Sequence, residues 1–156
     1  LRTVQALVGL PVIETCTGAE CGRVMDGLIE HERITGLIVN KTGMFSHHAF
    51  LDLQEVACLG KEAVMIADRH VLGTYSREQR QLHPVLVGKK RFRGKPLLTL
   101  EGETLGLVED VYFNVEVGTI VGYELTDGLL ADITEGRKIV RGTDLVIGKE
   151  RAILSL

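Results

Sequence analysis

Short runs of Val, Ile and Leu alternate along the chain with breaks punctuated by 18 glycines and only three prolines, and this pattern reads as strands joined by tight turns. The run Cys21-Gly22-Arg23-Val24-Met25-Asp26-Gly27-Leu28-Ile29 is ambiguous by itself, because its apolar residues at 21, 24, 25, 28 and 29 also suit one face of a helix. A related run further on decides for strand: Leu105, Leu107, Val111 and Phe113 share one face of a period-two pattern, and Gly27 disfavours a helix interior. Gly18 and Gly102 lie in short connections between such runs, where a hairpin needs backbone at positive φ. Asp127-Gly128 marks another hairpin, between Tyr123-Glu124-Leu125 and Leu129-Leu130-Ala131.

The same signals occur twice. Gly9-Leu10-Pro11-Val12-Ile13 returns as Gly94-Lys95-Pro96-Leu97-Leu98, and Gly18, Gly22 and Asp26 return at one constant offset as Gly102, Gly106 and Asp110. Ile34-Thr35-Gly36-Leu37 answers Ile120-Val121-Gly122-Tyr123, and Gly60-Lys61-Glu62 answers Gly148-Lys149-Glu150, the offset growing slightly as turn insertions would make it. The division that follows is a first copy at residues 1–67, a linker at 68–85 and a second copy at 86–156. Units this small bury a modest share of their surface, so the copies are expected to pack on each other or on a second chain. Leu37 and Val39 align with Tyr123 and Leu125 and should face inward. The opposite face holds Ile38 in one copy and Glu124 in the other, so the fold does not require its burial. Strands at this spacing leave no room for crossover helices. The expected architecture is all-β, two tandem small, partly open antiparallel barrels.

Composition narrows the functional classes. With 156 residues, 45% hydrophobic and 25% charged, the chain has the profile of a globular protein, and no apolar run reaches the length of a membrane-spanning helix. The first residues lack the charged-then-apolar layout of a secretion signal, and three cysteines make an odd count at spacings that fit no common zinc motif; both favour a reducing, cytoplasmic setting. A net charge of −3 means that any anion binding must be local.

The order of Gly18, Gly22 and Asp26, and again of Gly102, Gly106 and Asp110, each followed by a strand through Gly36 or Gly122 and a closing Gly-Lys-Glu, resembles the PRC-barrel. This is the small β-barrel of the photosynthetic reaction centre H subunit and of a bacterial ribosome-maturation factor. The likeness implies a non-enzymatic docking module in which those eight residues are a structural signature, with no catalytic residue and no cofactor to carry over. Neither of those specific roles carries over with the likeness; the alternatives are an RNA- or ribosome-associated maturation role using the basic segment 89–95, and a peripheral membrane role beside an electron-transport complex.

Candidate chemistry is thin. Cys16, Cys21 and Cys58 align with Leu100, Leu105 and Val146, which favours three small core fillers over reactive thiols, with a Cys16–Cys21 disulfide as the minority reading. His47-His48 offers two imidazoles, but neighbours on a strand point to opposite faces and cannot readily share an ion. Lys89, Lys90, Arg91, Arg93 and Lys95 form the sharpest charge feature, with no acid among them. Such a run suits phosphates, an anionic surface or an acidic partner segment. An open strand edge is the other expected docking surface, for a protein partner or a second copy.

Overall fold

The computed structural model describes residues 1–43, 47–127 and 137–156, and the helices among them are single 3-10 turns. The strands are β1 (Arg2–Thr3), β2 (Pro11–Glu14), β3 (Glu20–Glu30), β4 (Arg33–Lys41), β5 (His48–Asp52), β6 (Val56–Leu59), β7 (Val64–Ile66), β8 (Gly73–Thr74), β9 (His83–Pro84), β10 (Pro96–Leu98), β11 (Thr104–Phe113), β12 (Ile120–Thr126), β13 (Lys138–Val140), β14 (Thr143–Ile147) and β15 (Ala152–Ser155). They form two curled sheets. One runs β6-β7-β2-β3-β4-β5-β8, the other β13-β12-β11-β10-β15-β14.

Both sheets are mixed rather than antiparallel throughout. In each, the chain runs round the curl and re-enters beside its first core strand in the same direction, so β2 pairs parallel with β7 and β10 with β15. That return turns a flat meander into a half-barrel with an inside.

The halves then exchange edges. Arg2–Thr3 pairs with Phe113 and Tyr112 of the second sheet, while His83–Pro84 pairs with Ile29 and Leu28 of the first. These are equivalent positions, so each half lends its lead-in strand to the other. A second reciprocal contact lies at the turns: Ile34 N–H donates to Gly118 C=O at 2.8 Å, and Ile120 N–H to Glu32 C=O at 2.9 Å, on either side of a bridge between Arg33 and Thr119. One hydrophobic core results, running from Val4, Leu7, Val12 and Leu37 through Phe92, Val111, Phe113 and Tyr123 to Leu154. The Phe92 and Tyr123 rings meet edge to face, 6.1 Å between centres.

Two expectations change, and a third is not reached. The face assigned to Leu105, Leu107, Val111 and Phe113 is interrupted, because a bulge between Val108 and Asp110 shifts the alternation by one residue. Gly106 and Val108 face inward before it, Val111 and Phe113 after it, and Leu105 and Leu107 are only half-buried. Segment 68–85, read as a linker, adds β8 to β5 and β9 to β3. It also lays Tyr75 and Leu82 over Leu28, Ile38 and Phe50, so the outer face of the first sheet is a second, small core. The hairpin expected at Asp127-Gly128, with Leu129–Ala131, lies outside the described residues.

Candidate functional site

The shared aspartates hold the two halves together. Each follows the bulge of a long strand, and each is buried, Asp26 fully and Asp110 at 3% exposure. Asp26 accepts from the backbone N–H groups of Leu86 and Val87, and Asp110 from those of Val4 and Gln5, all at 2.9–3.1 Å. Each also accepts from the residue that follows it, Gly27 or Val111, at 2.7 Å. The carboxylates therefore clamp the exchanged lead-in segments at the point where their N–H groups would otherwise be buried unpaired. Burial pushes both carboxyls up, Asp26 to about 6. The signature glycines serve the same frame: Gly18 and Gly102 turn at φ 75° and 86°. At Gly22 an added Cβ would lie 2.5 Å from Asn40 C=O.

The exchange positions the basic segment. Beyond the Asp26 clamp the chain turns at Gly88 and Gly94, both at positive φ, and Phe92 between them is fully buried. With Phe92 fixed, the five cations separate. Arg93 turns towards Asp110, donating to Glu109 C=O at 3.0 Å and to Gln5 Oε1 at 3.1 Å. Lys89, Lys90 and Arg91 remain exposed on the loop. Arg91 donates to Gly88 C=O, and Lys90 Nζ to Gln81 Oε1 at 2.9 Å. Lys95 is buried, its Nζ on the carbonyls of Gly148 and Lys149, and burial pushes its ammonium pKa down.

Lys89, Lys90 and Lys95 meet Gln81, His83, Ile147, Gly148 and Lys149 around a cleft of about 480 Å³. Sequence reasoning missed Lys149, because it lies in the distant closing turn that Lys95 brings alongside. The cleft shares His83 and Ile147 with a largely apolar groove of about 350 Å³, lined also by Ile29, Leu82, Leu145 and Val146, with Glu30 and His31 at its side. Above that groove β14 ends the second sheet. Val146 and its cross-strand partner Ile153 stand outward at 59% and 37% exposure.

The remaining candidates separate widely. Cys21 is buried as expected, whereas Cys16 and Cys58 are exposed. Their aliphatic counterparts Leu100 and Val146 are exposed too, so the positions correspond but an apolar residue type at them does not mean burial. Cys58 and Val146 sit on the outermost strands β6 and β14, where one face has nothing to pack on. His47 and His48 are both exposed. Among the described residues, ligand atoms gather in the group Glu14, Cys16 and Asp68, which sequence reasoning missed since Asp68 lies beyond the first repeat. Arg69 occupies Glu14, with Nη2 2.9 Å from Oε1 and its backbone N–H 2.8 Å from Oε2, and this pair holds the Glu14 carboxyl down at about 2. The Glu14 charge is thus already neutralised within the protein.

Two comparisons bear on this arrangement. Residues 86–154 match the PRC-barrel domain. The chain is also 27% identical over 150 residues to the uncharacterized protein YrrD of Bacillus subtilis (strain 168), across 94% of this chain and 82% of that protein. No helix among the described residues is long and apolar enough to cross a membrane.

Proposed function

We propose, from the premise that this chain carries a PRC-barrel domain over residues 86–154, that it is a non-enzymatic adaptor that docks on a protein partner in the cytoplasm. The first half, with the same bulged strand, the same aspartate and the same return pairing, is read as a second barrel of that kind. The observation that carries the docking role is the edge of the second half. There β14 ends the sheet, Val146 and Ile153 present aliphatic side chains to solvent, and the groove lined by Ile29, Leu82 and Leu145 runs alongside. An extended apolar segment of a partner chain fits such an edge, with the sheet supplying direction and the groove supplying side-chain selection. The reciprocal strand exchange makes the two halves one body, so the surface is held in a fixed shape before binding and little ordering cost opposes association.

The basic segment supports an RNA-bound or membrane-peripheral role less well, because Lys95 and Arg93 are drawn into internal contacts and only Lys89, Lys90 and Arg91 stay fully exposed. The test is affinity capture from the native cell with the whole chain, its Val146→Glu/Ile153→Glu variant and its Lys89→Ala/Arg91→Ala variant. A partner retained by the last and lost from the first variant, with unchanged circular dichroism, is the expected result. A partner set indifferent to the β14 edge overturns the reading.

A further inference from the structure

We propose that the cleft beside Lys95 is a binding site for a condensed-phosphate group, such as pyrophosphate or the polyphosphate of a nucleotide. What the fold itself needs there is one cation. In the first half, the equivalent closing turn has one cation on its Leu59 and Gly60 carbonyls, Arg2 reaching from the exchanged strand β1. Leu10 stands where the second half has Lys95, and nothing like the run 89–93 precedes it.

In the second half one cation again satisfies the turn, Lys95 on Gly148 and Lys149. Three further lysines and His83 line the same cleft, with no Asp or Glu among the lining residues. Burial keeps the His83 imidazole neutral, and the three extra ammonium charges are not required by the backbone, since the first half folds without them. They repel one another, and in a protein of net charge −3 their convergence on one concavity is stabilised by an anion between them.

The chemistry fits phosphate. Lysine ammonium groups on flexible stems close on a tetrahedral oxyanion as point charges, and two of the three Lys95 N–H donors are committed to carbonyls, which fixes that ammonium and leaves one donor. A volume of about 480 Å³ is ample for a di- or triphosphate. The adjoining groove, reached past His83 and Ile147 and lined by Ile29, Leu82 and Leu145 together with Glu30 and His31, offers room for the body that carries it.

Isothermal titration of the whole chain at low ionic strength, with pyrophosphate and separately with ATP, tests the site. Saturable one-to-one binding of pyrophosphate is expected. The Lys90→Ala/Lys149→Ala variant, altered only at exposed residues, should weaken it by about tenfold or more, given the strength of charge-assisted hydrogen bonds. Arg91→Ala, whose residue does not line the cleft, should stay within about twofold on the same reasoning. ATP binding more tightly than pyrophosphate would place its remaining atoms in the groove, and equal affinities would confine recognition to the phosphates; both support the site. Absence of binding by either probe at millimolar concentration overturns it, as does equal affinity in the double variant. A single-stranded RNA that binds more tightly than pyrophosphate and is weakened by Arg91→Ala also overturns it, in favour of an extended nucleic-acid surface.

Discussion

Phe50 and Ile139 hold the same place in the two halves, opposite Ile38 on β4 and opposite Glu124 on β12. Phe50 is 7% exposed and Ile139 56%. The backbone frame does not distinguish them; the chain that follows does. After the first half, segment 68–85 crosses the outer face of the sheet and lays Tyr75 and Leu82 on Leu28, Ile38 and Phe50. On the second half the corresponding face carries Glu109, Tyr112 and Glu124, with Arg137 3.1 Å from Glu124 Oε1 and 3.7 Å from Glu109 Oε1. A duplicated fold therefore has one obligatory inner core and one optional outer face, and whichever face the connecting segment covers becomes apolar.

Truncation measures that difference most directly. Phe50→Ala removes a buried ring from a small cluster and should cost about 3–5 kcal/mol, whereas Ile139→Ala should stay within about 0.5 kcal/mol. Urea unfolding of the two variants checks it. Similar losses would mean that the outer faces are covered alike.

The glycines on the middle strands β4 and β12 give a smaller contrast of the same sign. A Cβ on Gly36 would overlap Leu51 C=O on the paired strand β5 and the Phe50 ring, which is fixed in the roofed cluster. On Gly122 the nearest atom is Ile139 Cγ2 at 3.0 Å, the tip of an exposed side chain that can swing away. Gly36→Ala should destabilise by about 1–3 kcal/mol and Gly122→Ala by less than about 1, read from the shift in unfolding midpoint. Equal penalties would assign the cost to the strand backbone rather than to the roof.

What was legible in the sequence follows the same division. The repeat, the turn glycines and the all-β class could be read because Gly18, Gly22, Asp26 and their counterparts are few, ordered and tied to backbone geometry that other residues cannot readily adopt. The reciprocal exchange was not legible. It rests on Arg2–Thr3 and His83–Pro84, two-residue strands too short for any periodicity, and on aspartates whose partners are backbone N–H groups that carry no side-chain signal. The bulges hid the true inner face, since one inserted residue reverses the alternation that marks it. The basic run was visible as charge, but its division between Arg93 and Lys95 in internal contacts and Lys89, Lys90 and Arg91 outside depends on Phe92, whose burial fixes the chain between them. Cys16 and Cys58 misled because their aliphatic counterparts lie at exposed positions.

The smallest effect separates the two aspartate clamps. Burial raises both carboxyls, but Asp110 has the Arg93 guanidinium near it, which opposes the rise, while Asp26 is met only by backbone N–H donors and is pushed from 3.8 to about 6. A carboxyl whose value is higher folded than unfolded favours the protonated folded state. Its contribution to stability is complete below 3.8 and is lost as pH rises through about 6. Between pH 7 and pH 5 the Asp26 contribution should therefore grow by about 1 kcal/mol, or roughly 2–4 °C in Tm, opposed by His83, whose pKa burial pushes below 6.5. Glu14 works in the opposite sense: held at about 2 by Arg69, it contributes stability above its ordinary 4.5 that is lost as pH falls below that, which confines the gain to the mildly acid range. Asp26→Asn, uncharged at every pH, should flatten the profile between pH 7 and 5, and Asp110→Asn should leave most of the rise in place. Thermal melts at matched ionic strength decide the matter: a rise that persists in Asp26→Asn and disappears in Asp110→Asn would move the titrating clamp to the second half and would mean that the Arg93 guanidinium does not hold the Asp110 carboxyl down.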